Sequence, residues 1–150
     1  MTAKFDGRGW LLKPSHGYRV YFPFIKHFDL DPSAIPLDYT SQTQTGNDTY
    51  THLGAFDYLA SDVVTPTGGA LNFMMKHVGS ILVFKLTVEE PGTFDSMTLT
   101  AENPVFTTKA SLNITGQSPV LSSSEKKDNM VLSLQNVSTT EANEFLGVYS

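Results

Sequence analysis

The sequence predicts an all-β chain built as an antiparallel β-sandwich, and three observations carry that expectation. Apolar and polar residues alternate through its middle, turn-forming Pro and Gly interrupt it at short intervals, and no segment keeps a helical period over about 12 residues. Composition agrees. Thr contributes 17 residues and Ser 14 of the 150, while charged residues make up only 17%, against about 25% in an ordinary domain. Thr is β-branched and suits the solvent face of a strand.

Taken in order, residues 9–13 and 17–22 are placed to pair across the turn at Pro14-Ser15-His16, the second segment being aromatic and β-branched and ending at Pro23. Residues 29–54, with Pro32, Pro36, Gln42, Gln44, Gly46 and Asn47, read as a long polar surface connection. Residues 55–60 read as a short helix or an irregular edge, and Thr65-Pro66-Thr67-Gly68-Gly69 as a loop before a strand at 70–74. From 82 to 88, Leu82, Phe84, Leu86 and Val88 share one face and Val83, Lys85 and Thr87 the other, the period of a strand with one buried face. The turn Glu90-Pro91-Gly92 follows, because Pro presets φ and Gly tolerates positive φ. Next come an alternating segment at 95–100 with Met97 and Leu99 inward, and another at 110–114 with Leu112 and Ile114 inward. Residues 122–129 are polar and charged and read as a solvated loop. Met130, Leu132 and Leu134 alternate again, and residues 145–149 open one more strand.

The length suits one domain spanning 1–150, since domains commonly run to about 100–150 residues. Ten Lys and Arg against fifteen Asp and Glu leave a net charge of −5, and the one adjacent basic pair is Lys126-Lys127. Neutralising phosphates needs clustered cations, so no nucleic-acid partner is expected. The absence of Cys removes disulfides, zinc-thiolate sites and thiol catalysis. The longest mainly apolar stretch, 78–88, contains Lys85 and is shorter than the roughly 20 residues that cross a bilayer as a helix. The first ten residues hold no apolar signal-peptide region, and no Cys is available for a lipid anchor.

No constellation of catalytic residues emerges, and the chain is expected not to be an enzyme. His16, His27, His52 and His77 are scattered, without an HExxH helix. Asp29, Asp31, Asp57 and Asp62 offer oxygens for calcium but lack the twelve-residue loop with a terminal Glu. No metal ligands and no cofactor are therefore assigned. His77 reads as a hydrogen-bonded structural histidine. A nucleophilic Ser in a GxSxG turn is missing, and Gly68-Gly69 lacks the Lys of a phosphate loop. Glu89, Glu90, Glu141 and Glu144 read as solvated charges. Trp10, Tyr18, Tyr21, Phe22, Phe24 and Phe28 are dense; burial explains such rings, and a sugar platform is the functional alternative. The sequons at Asn47, Asn113 and Asn136 are as many as chance supplies in a chain this rich in Ser and Thr.

Five segments in order resemble the fimbrillin-like proteins of Bacteroidales. They are Tyr18-Arg19-Val20-Tyr21-Phe22-Pro23-Phe24; Ile35-Pro36-Leu37 with Gln42-Thr43-Gln44-Thr45-Gly46-Asn47; His52-Leu53 with Asp57-Tyr58-Leu59; Leu71-Asn72-Phe73 with His77-Val78 and Leu82-Val83-Phe84-Lys85-Leu86; and the run from Phe106 and Leu112 through Met130 and Leu134 to Phe145, Val148 and Tyr149. The resemblance covers residues 9–150. It implies a transthyretin-like sandwich, the N-terminal of two such domains, in a structural or adhesive subunit of surface fimbriae at the outer membrane. Its partners would be other fimbrial subunits joined by donor-strand contacts, together with host or bacterial surface ligands.

Against the family, this chain lacks a signal peptide and a lipobox Cys, so it reads as a fragment or shortened member with an incomplete sandwich. Processing after Arg, familiar in such pilins, has Arg8 as its candidate, because Arg19 lies inside an expected strand. Asp95-Ser96-Met97 matches the family's short O-glycosylation pattern, which makes Ser96 the candidate acceptor. The alternative function is a carbohydrate-binding β-sandwich module at the cell surface, with Trp10, Tyr18 and Tyr21 as glycan-binding aromatics.

Overall fold

The computed structural model describes residues 12–23, 31–67, 71–139 and 144–150, and of residues 144–146 the backbone alone. Among them are strands β1 (Tyr21–Phe22), β2 (Ile35–Asp38), β3 (Thr43–Thr45), β4 (Leu59–Ser61), β5 (Met75–His77), β6 (Leu82–Thr87), β7 (Gly92–Thr100), β8 (Phe106–Asn113), β9 (Val120–Lys127), β10 (Asn129–Thr139) and β11 (Glu144–Tyr149). One four-residue helix, α1 (Leu53–Phe56), interrupts them. The chain is all-β, of the sandwich-like class the alternation predicts. Its sheets order as β1-β4-β5, β2-β8-β9, β3-β10-β7 and β11-β6, and every pair except β3 with β10 is antiparallel.

Two apolar clusters fill the space between sheets. The first joins Ile35, Leu37 and Tyr39 to Ala110, Leu112 and Ala60, with Tyr21 and Val78 packed against it, so the β2-β8 layer faces the β1-β4-β5 layer. The second joins Leu132, Leu134 and Val137 of β10 to Tyr149 of β11, with Phe84, Leu86, Met97 and Leu99 from β6 and β7 around them. A bulge keeps β10 in that second core. Between the pairs Ser133↔Ser96 and Val137↔Phe94, β10 advances four residues and β7 two, and the alternation of faces breaks within this irregular stretch, so that Leu132, Leu134 and Val137 all bury. Asn136 takes the required left-handed conformation at φ 55°, which Asn tolerates better than most residues.

Three sequence expectations change. Residues 29–54 are not a surface connection: β2 and β3 lie within them, and Ile35, Leu37, Gln42 and Gln44 are fully buried. Pro36 hid β2 from a sequence reading, yet its side chain is exposed in a strand that bonds on one side to β8. Residues 122–129 are not a loop either, because β9 pairs with β8 from Val120↔Asn113 to Lys127↔Phe106. Its polarity reflects an edge position with nearly every side chain in water, where Lys and Glu discourage unwanted pairing. The strand expected at 70–74 instead forms at Met75–His77, beyond Met74. Of the hairpin expected for 9–13 and 17–22, residues 9–11 lie outside the described residues; in the second segment Tyr18 bridges Val64, and Tyr21–Phe22 pair with β4.

Arg19 locks this corner. Its guanidinium donates to the carbonyls of Ile114, Gly116 (2.7 Å) and Gln117 (2.8 Å), while Val63 N–H donates to Gln117 O (3.1 Å). A protease must draw Arg19 into its own specificity pocket, so the bond after Arg19 is expected to resist trypsin until the chain unfolds. Early cleavage there in a limited digest read by mass spectrometry would contradict this clamp.

The turn leading out of β2 is held by Asp38, whose Oδ1 accepts from Thr40 N–H (2.8 Å) and from the Thr40 hydroxyl. The hydroxyl first and the backbone N–H next hold the Asp38 carboxyl below its ordinary 3.8. Asp31 is lowered in the same way by Ser33. A depressed carboxyl contributes stability that is present above the unfolded-state value and lost as pH falls through the folded one. Urea unfolding is therefore expected to give constant stability above about pH 5 and a decline below about pH 4, with Asp38→Asn flattening part of it. An identical pH profile for that variant would rule out the turn as a source.

Candidate strand-docking site

Strand β6 ends its sheet, bonded to β11 alone, and β7 ends its sheet, bonded to β10 alone, among the described residues. Both feed the second core. Leu86 and Val88 from the β6 side and Met97 and Leu99 from β7 pack on it and are partly buried, whereas Leu132, Leu134 and Val137 on the interior strand are buried. The gradient follows from position, since edge strands have neighbours on one side only. The outer part of β6 adds Leu82 (40% exposed) and Val83 (50% exposed). An unpaired edge beside half-buried apolar side chains is the arrangement an added strand satisfies, through main-chain hydrogen bonds and side-chain burial together.

The terminal strand β11 shows how this fold holds an extended segment. One edge pairs with β6 over Glu144↔Thr87 to Tyr149↔Leu82. The other edge meets side chains in place of a strand. The Gln42 amide donates to Ser150 O (2.9 Å) and accepts from Ser150 N–H (2.9 Å), Gln44 Oε1 accepts from Val148 N–H (3.1 Å), and His52 Nε2 lies 2.8 Å from Val148 O. With Val148 O as acceptor, His52 carries its proton on Nε2. Gln42 and Gln44 stand two residues apart, as do Val148 and Ser150; the Gln42 amide reproduces the donor–acceptor pattern of a strand residue towards Ser150, and Gln44 with His52 does so jointly towards Val148. Gln42 and Gln44 are 1% and 0% exposed.

Side chains add selectivity to this backbone reading. Tyr149 donates from its hydroxyl to Met97 O (2.6 Å) and meets Phe84 edge-to-face at 5.9 Å, and burial pushes its phenol up to about 12. Gly147 lies under the Met97 thioether, where an added Cβ would come within 2.9 Å of Sδ.

The residues singled out from the sequence do not gather into one site. Arg8 and Trp10 lie outside the described residues, as do His27, Asp29, Gly68, Gly69 and Glu141. Tyr18 is half-buried, its hydroxyl accepting from Lys13 N–H (2.8 Å), and Tyr21 packs against the first core cluster, so both rings are engaged in packing and pairing. Ser96 is exposed on β7 with its backbone opposite Ser133. Asp57 and Asp62, considered for calcium, each meet a neighbour on β5: Asp57 Oδ1 lies 2.6 Å from His77 Nδ1, and Asp62 Oδ2 lies 2.6 Å from Lys76 Nζ. His77 is thus hydrogen-bonded, with its side chain on the surface. Among the described residues no three His, Asp or Glu converge as metal ligands.

Gln42 and Gln44 were invisible as site residues because polar side chains in a polar stretch signal a loop. The period-two repeat Gln42-Thr43-Gln44-Thr45 was the available clue. No protein-family model, no curated protein and no solved structure matches this chain.

Proposed function

We propose that this chain is a non-catalytic β-sandwich subunit that joins other subunits by β-strand addition, in the surface-fimbria setting implied by its resemblance to fimbrillin-like proteins. The observation that carries the proposal is that, among the described residues, β6 and β7 each pair on one edge alone, beside partly buried apolar side chains of the second core. A strand inserted there gains backbone hydrogen bonds and moves apolar area out of water, at roughly 25 cal/mol per Å². The β11 seat adds a precedent within the fold, since an extended segment is already gripped through its main chain on both edges.

The test is size-exclusion chromatography with light scattering over a range of concentrations, with and without a peptide copying residues 144–150. The chain is expected to associate, or to take up the peptide, and Val83→Lys is expected to weaken either event by placing a charge on the β6 edge. A chain that stays monomeric at about millimolar concentration and ignores the peptide overturns the proposal.

A further inference from the structure

Three sequons occur in the chain, at Asn47, Asn113 and Asn136, and all three lie among the described residues. Chance supplies a sequon; the fold decides whether its side chains can reach an enzyme. A transferase that glycosylates asparagine needs the amide nitrogen free, because that nitrogen becomes bonded to the sugar, and it needs the hydroxyl two residues on.

At Asn47 both side chains are committed. Its Nδ2 donates to Ser138 O (2.8 Å) while its Oδ1 accepts from Ser138 N–H (3.2 Å), and the Thr49 hydroxyl donates to Thr45 O (2.9 Å). A pair of that kind uses the Nδ2 hydrogen on the same side as Oδ1. In a substituted amide the trans preference puts the sugar in that same position, so a glycan on Asn47 must break its tie to β10. Asn136 stands in the β10 bulge at φ 55°, and the middle residue of its sequon, Val137, is 0% exposed in the second core. The third residue, Ser138, is the one Asn47 holds. Drawing that sequon into an active site means pulling β10 out of its sheet.

Asn113 differs on each count. It is the last residue of β8, and residues 114–119 form the loop into β9. Its Oδ1 accepts from Thr115 N–H (2.9 Å) and from the Thr115 hydroxyl (2.7 Å), a turn that brings the amide and the hydroxyl of the sequon together. Thr115 is exposed, and Asn113 Nδ2 makes no hydrogen bond among the described residues and is not enclosed, so it faces water. The loop is held through its main chain instead: Ile114 N–H donates to Pro32 O (2.9 Å), and Arg19 grips the carbonyls of Ile114, Gly116 and Gln117. Those contacts fix the turn without using either sequon side chain.

We propose that Asn113 is an acceptor for asparagine-linked glycosylation, and that of the three sequons it alone is presented in reactive form by the folded chain. In the reaction Asn113 Nδ2 bonds to the anomeric carbon of an oligosaccharide carried on a lipid diphosphate. The carbon–oxygen bond to the diphosphate breaks, the lipid diphosphate leaves, and the Nδ2 proton passes to a base of the transferase. Asn113 belongs to the β2-β8-β9 sheet and not to the sheets that hold β6 and β7, and the inference stands independently of the strand-addition reading.

The experiment incubates the folded full chain with a purified eukaryotic-type oligosaccharyltransferase and a lipid-diphosphate oligosaccharide, and maps the modified sites by mass spectrometry. Peptides copying residues 44–50, 110–116 and 133–139 supply the rate at each sequon without the fold. Relative to its own peptide, Asn113 in the folded chain is expected to react at least about tenfold faster than Asn47 or Asn136. Thr115→Val, which removes the hydroxyl at an exposed position with little change in size, is expected to abolish modification at Asn113 while the circular dichroism spectrum stays that of the parent. Thr115→Ser is expected to retain modification. The inference fails if Asn113 stays unmodified in the folded chain, or if Asn47 or Asn136 reacts as fast by the same measure. It fails equally if modification of Asn113 survives Thr115→Val unchanged.

Discussion

Gln44→Leu is expected to destabilise the chain by about 2–3 kcal/mol, although it replaces a polar residue with an apolar one of similar size in a fully buried position. The reason is the partner left behind. Val148 N–H loses Gln44 Oε1 in a buried site, whereas Gly46 O loses the amide donor but keeps the Thr49 hydroxyl at 3.4 Å. An orphaned buried group costs about 1–3 kcal/mol, more than the hydrophobic gain returns. The loss should be local as well as global. Amide exchange at Val148 and Ser150 is expected to accelerate before exchange in β8 or β10 does, because the outer edge of β11 rests on Gln44, Gln42 and His52. A variant within about 0.5 kcal/mol of the parent in urea, with Val148 still protected, would mean that the side-chain clamp does not hold β11. Pairing with β6 would then carry the strand alone.

Ile35→Ala is expected to cost about 2–5 kcal/mol, the range for truncating a buried aliphatic side chain and leaving part of its cavity unfilled. Ile35 is 2% exposed, opposite Leu112 in the first core. The contrast with Val120, which is 57% exposed on β9, makes the measurement informative. Val120→Ala should change stability by less than about 0.5 kcal/mol, as surface substitutions do. Equal effects at the two positions, read from urea midpoints at constant slope, would contradict the burial of the inward face of β2 and the exposure of β9. From sequence alone Ile35 is expected on the surface, since it falls in a Pro-rich polar stretch.

That reversal shows how far the residues could be read in isolation. The strands with one wet and one dry face were legible: β6 through Leu82, Phe84 and Leu86, β7 through Met97 and Leu99, β10 through Leu132 and Leu134, because the pleat sends alternate side chains to opposite faces. Strands whose faces are alike gave no such signal. Both faces of β9 are wet, so Ser122, Ser123 and Ser124 resembled a loop, and its pairing with β8 is written in backbone groups that every sequence carries. Strand β3 and the residue before it inverted the rule, burying Gln42 and Gln44 while Thr45 stays exposed, because what the interior needed there was hydrogen-bonding capacity.

The site divides along the same line. The apolar edge of β6 could be anticipated from its composition, but not that β7 ends the neighbouring sheet on the same core.

By itself, then, the sequence determined an all-β chain without thiol chemistry, the inward faces of its amphipathic strands and the turns between them, since these depend on local periodicity and on the backbone preferences of Pro and Gly. Tertiary structure alone decided which strands neighbour which, where edges stay open, and which buried amides grip β11. Those outcomes rest on hydrogen bonds and charge pairs between residues far apart in the chain, and such long-range partners are chosen only when the sheets close on one another.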